Sequence, residues 1–367
     1  MSLGSKSLIQ TSKLRRIKSC FIKWGDKVNM ELKNLIEVLA LYNITERISN
    51  FSFFINVYDD KTSEMKVITK VEFPDRNPLV VKFVRENNHP HNITENQSIF
   101  SECLRSQGIL TPKRYMSGES YCIKYELNNM LIDVTVEDYL GEEIKTIDSK
   151  LAYNIGQLMA KMHKISEKGN CHIETNTIFN VVGYNEVSGF NSFLELGEGS
   201  KIDSVMYQKI KTLYIEKLEK IKLSWAKLPR YATQGDISIN NLSFVGEKIG
   251  IFDYNIAGDE TLVGDMVLEG LLIANEMDLS DGLTDKDRTE LFKCFFKGYI
   301  NERPLTDDEK NKLSEIYSTS SALWFTKIKY DENSLIKLVE RNEYDKVDLL
   351  LQEIYDTLCE NNFQFLA

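Results

Sequence analysis

The sequence predicts a two-lobed α+β fold, with a small antiparallel-sheet N-lobe and a large, mainly helical C-lobe. Three observations lead there. The chain has 367 residues, more than one hydrophobic core usually serves, so two or more domains or lobes are expected. After one early amphipathic helix at 30–41, strand patterns follow at 48–58, 65–73 and 79–84. From residue 151 onward the apolar residues recur at helical spacing instead, with Leu151, Ile155, Leu158, Met159 and Met162 on one face of a first long helix.

Composition bounds the function. Hydrophobic residues make up 42% and charged residues 27% of the chain, which is the balance of a globular protein rather than a disordered one. No apolar run reaches the ~18–20 residues that cross a bilayer, and no secretory signal pattern opens the chain, so a cytoplasmic protein is expected. A net charge of −10 argues against nucleic acid as a partner, because phosphate backbones need a basic surface. Cys20, Cys103, Cys122, Cys171, Cys294 and Cys359 form no CxxC pair and are expected to be reduced thiols. The four histidines do not suggest a metal site: His163 closes a helical apolar stripe and reads as a packed structural residue, while His89 and His91 flank Pro90 in a loop.

In chain order, residues 1–28 are an N-terminal extension. Lys13, Arg15, Arg16, Lys18 and Lys23 surround Leu14, Ile17, Phe21 and Trp24 there, the spacing of a basic amphipathic helix that either lies on a membrane surface or docks on its own protein. Residues 29–137 form the N-lobe. Its third strand, Leu79-Val80-Val81-Lys82-Phe83-Val84, is apolar on both faces, so Lys82 either snorkels at an edge or has an anionic partner. Ile93, Gln97, Phe100 and Leu104 then mark the inward face of a helix. Glu95 and Glu102 lie about 160° and 140° around the wheel from Gln97 and point elsewhere. Residues 138–367 form the C-lobe, in which the polar, glycine-bearing insertion 167–229 precedes the most informative stretch.

That stretch is Gln234-Gly235-Asp236, then Asn241, then a hairpin ending at Asp253. Leu242 to Val245 reads as one strand, Gly246-Glu247-Lys248 as the turn and Ile249 to Phe252 as the return. If Val245 pairs with Ile249, Asn241 faces Asp253 with Cα atoms about 5 Å apart. Two oxygen ligands at one hairpin mouth, with Asp236 five positions earlier, suit a hydrated Mg²⁺ ion and a phosphate. Asp236 could then take a proton from an attacking hydroxyl. Asp265, ahead of a helical run, is expected to be its N-cap.

Gly235-Asp236…Asn241…Ile251-Phe252-Asp253 is similar to the catalytic core of the aminoglycoside phosphotransferase and choline kinase superfamily, small-molecule kinases with a protein-kinase-like fold. Gly108-Ile109-Leu110-Thr111-Pro112 also resembles a segment common in that family. The resemblance implies ATP and Mg²⁺ as cofactors, Asp236 as catalytic base, Asn241 and Asp253 as metal ligands and Lys82 as a phosphate contact. It makes Glu137-Asp138-Tyr139-Leu140-Gly141 the hinge whose backbone meets the adenine edge while Tyr139 or Leu140 packs on it, although an ordinary strand-to-helix connection would look the same. The nucleotide-contacting set is therefore Lys82, Gln97, Glu137 and Tyr139.

Three departures stand out. Gln234 replaces the usual His, Gln97 replaces the Glu that pairs with the lysine, and no glycine lies between Gly25 and Gly108, where the phosphate loop belongs. With an amide at position 97, Lys82 is expected to lack its charged partner. The expected function is phosphorylation of a small-molecule hydroxyl, with an acceptor that is an aminoglycoside, a choline-like amine, an amino-alcohol such as homoserine, or a sugar; a cationic acceptor would suit local acid. The alternatives are a nucleotide-binding scaffold of the same fold with little catalysis, and a serine/threonine protein kinase.

Overall fold

The computed structural model describes residues 28, 30–177, 179–182, 188–198, 202, 204–275 and 285–360. These fall into two units, the first within Met1–Ile144, His172–Thr175 and Asn240–Asn255, the second within Lys145–Cys171, Asn176–Ile239 and Ile256–Ala367. The basic stripe of residues 13–27 lies outside the described residues.

The first unit begins with α1 (Leu32–Leu41), whose Leu35, Val38 and Leu39 are buried and whose Glu31 N–H donates to Asn34 Oδ1 at 3.0 Å. Next come β1 (Asn50–Asp59), β2 (Glu64–Glu72), β3 (Leu79–Arg85), α2 (His91–Ser106), β4 (Cys122–Leu127) and β5 (Met130–Asp138). The strands form one antiparallel sheet in the order β1-β2-β3-β5-β4. The first three were legible to within two residues at each end. The next strand, β4, was missed, because its apolar and charged residues alternate without a glycine or proline to close them. Asn128 and Asn129 make that turn, at φ +52° and +61°, a pair of left-handed positions that asparagine tolerates.

The pleat of β3 sorts its side chains. Leu79, Val81 and Phe83 join Leu35, Val67 and Val134 in one core, so Lys82 projects from the opposite face. Register places Lys82 beside Thr135 and Val80 beside Glu137. On α2, Ile93, Gln97, Phe100 and Leu104 are all buried, as their spacing predicted. His91 is the first residue of α2 with Pro90 as its N-cap, so the expected loop at His91 is a helix start.

The chain then enters the second unit with α3 (Ser149–Gly169), capped by Asp148, whose Oδ1 accepts from Leu151 N–H at 2.7 Å. Leu151, Ile155, Met159 and Met162 are buried and Leu158 is half-buried. After α4 (Phe190–Glu198), α5 (Ser204–Trp225) and β6 (Arg230–Thr233), the chain returns to the first unit for the hairpin β7 (Leu242–Val245) and β8 (Lys248–Ile251). The register there corrects the sequence reading. Val245 pairs with Lys248 and Leu242 with Ile251, so the turn is the two residues Gly246-Glu247. Gly246 takes φ +63°, as the first central position of a two-residue hairpin turn demands. The one-residue slip puts Asn241 opposite Phe252, whose N–H donates to the Asn241 carbonyl at 3.0 Å, and leaves Asp253 just past the ladder.

The second unit resumes with β9 (Gly258–Thr261), paired with β6, then α6 (Leu262–Ala274), α7 (Asp285–Glu302), α8 (Asp307–Ala322), a π turn at Thr326–Tyr330, α9 (Leu335–Glu340) and α10 (Tyr344–Cys359). The N-cap of α6 is Thr261, not Asp265, which sits in the first turn. Leu313, Ile316, Leu335 and Ile354 are buried, whereas Leu349 is 72% exposed. Among the described residues no helix is long and apolar enough to cross a membrane.

One buried acid gives the second unit a pH signature. Glu260, 2% exposed in β9, has its carboxyl pushed up to about 8 by burial. Its folded value therefore lies above the ordinary 4.5, so the fold keeps a proton that the unfolded chain releases. Stability should be highest below about pH 4.5, fall as pH rises and level off above about 8. Glu260→Gln should flatten that slope and add on the order of 3 kcal/mol at neutral pH, as measured by urea melts between pH 5 and 9.

Candidate active site

In the first unit the centre is Lys82. Its Nζ is 2.9 Å from Glu137 Oε1 and 3.2 Å from Asp253 Oδ1, and Glu137 also pairs with Arg114 at 3.0 Å. The expectation that Lys82 lacks a charged partner is overturned. A carboxylate comes from β5, two strand positions from the residue directly across from Lys82, instead of from α2. Burial works against the ammonium, but Asp253 and then Glu137 outweigh it and hold the Lys82 pKa above its ordinary value. Glu137 is 2% exposed and Arg114 7%, so this is a buried chain of alternating charge in which loss of one member leaves its neighbour uncompensated.

Gln97, buried on α2, donates from Nε2 to the Asn255 carbonyl at 3.0 Å. It thus braces the segment just beyond Asp253. Asp253 itself has φ +63°, a left-handed conformation that aspartate adopts more readily than most residues. The hairpin carrying Asn241 and Asp253 is tied to the rest of the unit by Ile251 N–H to Leu110 O at 2.9 Å and Ile144 N–H to Leu242 O at 2.8 Å.

The hinge expectation needs revising. Glu137 and Asp138 belong to β5, and the Glu137 side chain is committed to Lys82 and Arg114. The N–H groups of Asp138 and Tyr139 donate to the carbonyls of Lys113 and Pro78, each at 3.0 Å. The Tyr139 ring stacks on Phe54 at 6.0 Å and has Lys70 Nζ 4.4 Å from its centre. Between β1 and β2, where a glycine loop would lie, the turn contains no glycine, and Ser63 takes φ +57°.

In the second unit the loop after β6 is braced from three directions. Gln234, 1% exposed, accepts the Asp236 N–H on Oε1 at 2.7 Å, so an amide fixes the loop without ionising. Ser238 Oγ donates to Asp236 Oδ1 at 2.7 Å, and Glu269 Oε2 accepts the Ile237 N–H at 2.5 Å. Burial, then the charges of Asp265 and Asp236, push the Glu269 carboxyl well above its ordinary range. Gly235 at φ +77° permits the bend, and a Cβ there would meet Thr177 Cγ2 at 3.1 Å.

Behind the loop, Asp265 accepts from Thr233 Oγ1 and faces His163 Nε2, both at 3.0 Å. With that proton on Nε2, His163 Nδ1 accepts from the Tyr299 hydroxyl at 2.8 Å. His163 is thus the packed residue its position indicated, with a bracing role added. Sequence reasoning missed Glu137 as an ionic partner, Arg114 and Glu269. A signal existed for Glu269, since it and Asp265 are the two acids in an otherwise apolar helix.

Glu137→Gln tests the first network. It should leave Arg114 and Lys82 sharing one fewer negative charge and cost about 3 kcal/mol of stability in urea titrations.

Neither a protein-family model nor any curated protein matches the sequence. Solved structures do. An amicoumacin kinase in complex with AMP-PNP, Ca²⁺ and Ami is similar at a TM-score of 0.60 and 11% identity, covering 92% of this chain and 98% of that one. A microcompartment-associated aminopropanol kinase is similar at 0.51 and 13%, covering 90% and 95%. The chain has the protein-kinase-like fold of small-molecule kinases: an antiparallel five-stranded sheet in its N-terminal part and a mainly helical C-terminal part.

Proposed function

We propose that this protein is an ATP- and divalent-cation-dependent phosphotransferase acting on a hydroxyl of a small molecule. The observation that carries the reading is the part-buried ion pair of Lys82 with Asp253, residues 171 positions apart. A lysine poised for phosphate and a carboxylate suited to a hard cation meet within one unit. The ammonium beside Asp253 shows that this carboxylate already faces positive charge, and the amide oxygen of Asn241 on the same hairpin completes a hard-oxygen donor set fit for Mg²⁺. When bound, such an ion would neutralise charge on the β- and γ-phosphates.

The chain's own residues then divide the work. Asp253 and Asn241 hold the cation, and Lys82, oriented by Glu137, contacts phosphate. Asp236, fixed by Gln234 and Ser238, accepts the acceptor's hydroxyl proton as its oxygen bonds to the γ-phosphorus and the bond to the β-phosphate oxygen breaks, releasing ADP. The N-lobe at 29–137 would supply most nucleotide contacts, with the Tyr139 side chain flanking the base, and the C-lobe at 138–367 the catalytic loop and, through the insertion 167–229, the acceptor pocket. The acceptor proposed is an aminoglycoside, a choline-like amine, an amino-alcohol or a sugar; the aminopropanol kinase among the similar structures supports the amino-alcohol.

The glycine-free turn between β1 and β2 favours a second reading, a nucleotide-binding protein with little turnover, since it offers few backbone N–H groups to phosphate. Thermal shift with Mg·ATP and ADP release across a panel of amino-alcohols, choline analogues, aminoglycosides and sugars separate the two. Binding with acceptor-dependent ADP release supports the kinase, binding without release supports the second reading, and absence of Mg·ATP binding overturns both.

A further inference from the structure

A second cluster lies on the first unit's sheet, on the same face as Lys82 but farther along it. Cross-strand register pairs Cys122 with Thr135 and Lys124 with Asp133, so the side chains of Cys122 and Asp133 share a face, and α2 begins over it with His91. The three possible donor atoms, His91 Nδ1, Cys122 Sγ and an Asp133 oxygen, lie within 4.8 Å of one another. Among the described residues this is the one such group. We propose that His91, Cys122 and Asp133 bind a borderline divalent transition metal of the zinc class, cross-linking α2, β4 and β5.

The geometry favours coordination over a catalytic triad. Cys122 Sγ is 3.5 Å from His91 Nδ1, and Asp133 Oδ1 contacts that same nitrogen. A proton relay uses the two ring nitrogens for two different partners, whereas ligands of one ion converge on a common point. Bonds of 2.3 Å to sulfur and 2.0–2.1 Å to nitrogen at a tetrahedral angle separate the two ligand atoms by about 3.6 Å, close to the spacing found. The His91–Asp133 contact would open to about 3.4 Å. The one sulfur, one nitrogen and one carboxylate oxygen form a zinc-type donor set, and the 38% exposed His91 side chain leaves one side for water.

The surroundings fit a cation. Glu95 accepts the Tyr121 and Cys122 N–H groups at 3.0 and 2.7 Å and fixes the start of β4, and Lys124 Nζ lies 2.8 Å from Asp133 Oδ1, an ammonium that a bound ion would displace from that oxygen.

Cobalt(II) is the probe, because thiolate coordination gives a ligand-to-metal charge-transfer band in the near ultraviolet that Mg²⁺ cannot give. The full chain should develop that band at one equivalent of Co²⁺, with excess Mg²⁺ present. The band should vanish in Cys122→Ser, persist in Cys171→Ser, and need at least about tenfold more Co²⁺ in His91→Ala. His91 is half-exposed, so that variant carries the test should Cys122→Ser fail to fold. A chain that shows no band, or one whose band survives in Cys122→Ser or is unaltered in His91→Ala, overturns the proposal. Phosphotransfer activity does not enter the readout, so the two readings stand or fall separately.

Discussion

Asp253→Asn should lower turnover by on the order of 10³-fold and abolish the Mg·ATP-dependent thermal shift. Asparagine is the informative choice because, like aspartate, it tolerates the left-handed backbone of φ +63°, so the hairpin should keep its path. What changes is charge. Lys82 retains Glu137 at 2.9 Å but loses the carboxylate at 3.2 Å, and the proposed cation site loses its carboxylate. Purified variant and parent would be compared by coupled ADP release at saturating acceptor and by melting with and without Mg·ATP. A variant that keeps more than about a tenth of the parent rate would remove Asp253 from the metal site.

Asp236→Asn should behave differently. The rate should fall about 10²–10⁴-fold, the usual contribution of a positioned base, while Mg·ATP still raises the melting temperature. The asparagine can still accept from Ser238, and Gln234 bonds the backbone N–H rather than the side chain, so the loop should hold. The loss should appear in kcat with the KM for ATP little changed, the pattern of a group acting in the transition state. A variant that instead loses nucleotide binding would make Asp236 a binding or structural residue. Together, Asp253→Asn and Asp236→Asn separate cation holding from proton acceptance in the proposed reaction.

Legibility in the sequence followed the range of the interaction. The strands β1 to β3, the inward face of α2 and the long helix α3 were readable because periodicity is a property of near neighbours. The hairpin was readable, but its register slipped by one residue, since Gly246-Glu247 and Gly246-Glu247-Lys248 are both plausible turns and only pairing chooses. β4 went unread because its closing turn uses two asparagines. The partner of Lys82 was misjudged for a related reason: Gln97 was sought on the helix wheel, while the carboxylate stands on the neighbouring strand, two positions from the residue across from Lys82, at Glu137. His91, Cys122 and Asp133 gave no hint of converging, being 31 and 11 residues apart in the chain.

The order of the residues by itself determined the element types, the split between strand-rich and helical parts, and the pattern Gly235-Asp236…Asn241…Asp253 with the resemblance it carries. Folding decided which charges meet: Lys82 with Glu137 and Asp253, Glu137 with Arg114, and Asp265 with His163 and Thr233. Hydrophobic periodicity and turn chemistry act over a few residues, whereas a part-buried ion pair across 171 positions depends on sheet register and helix placement that no local stretch encodes.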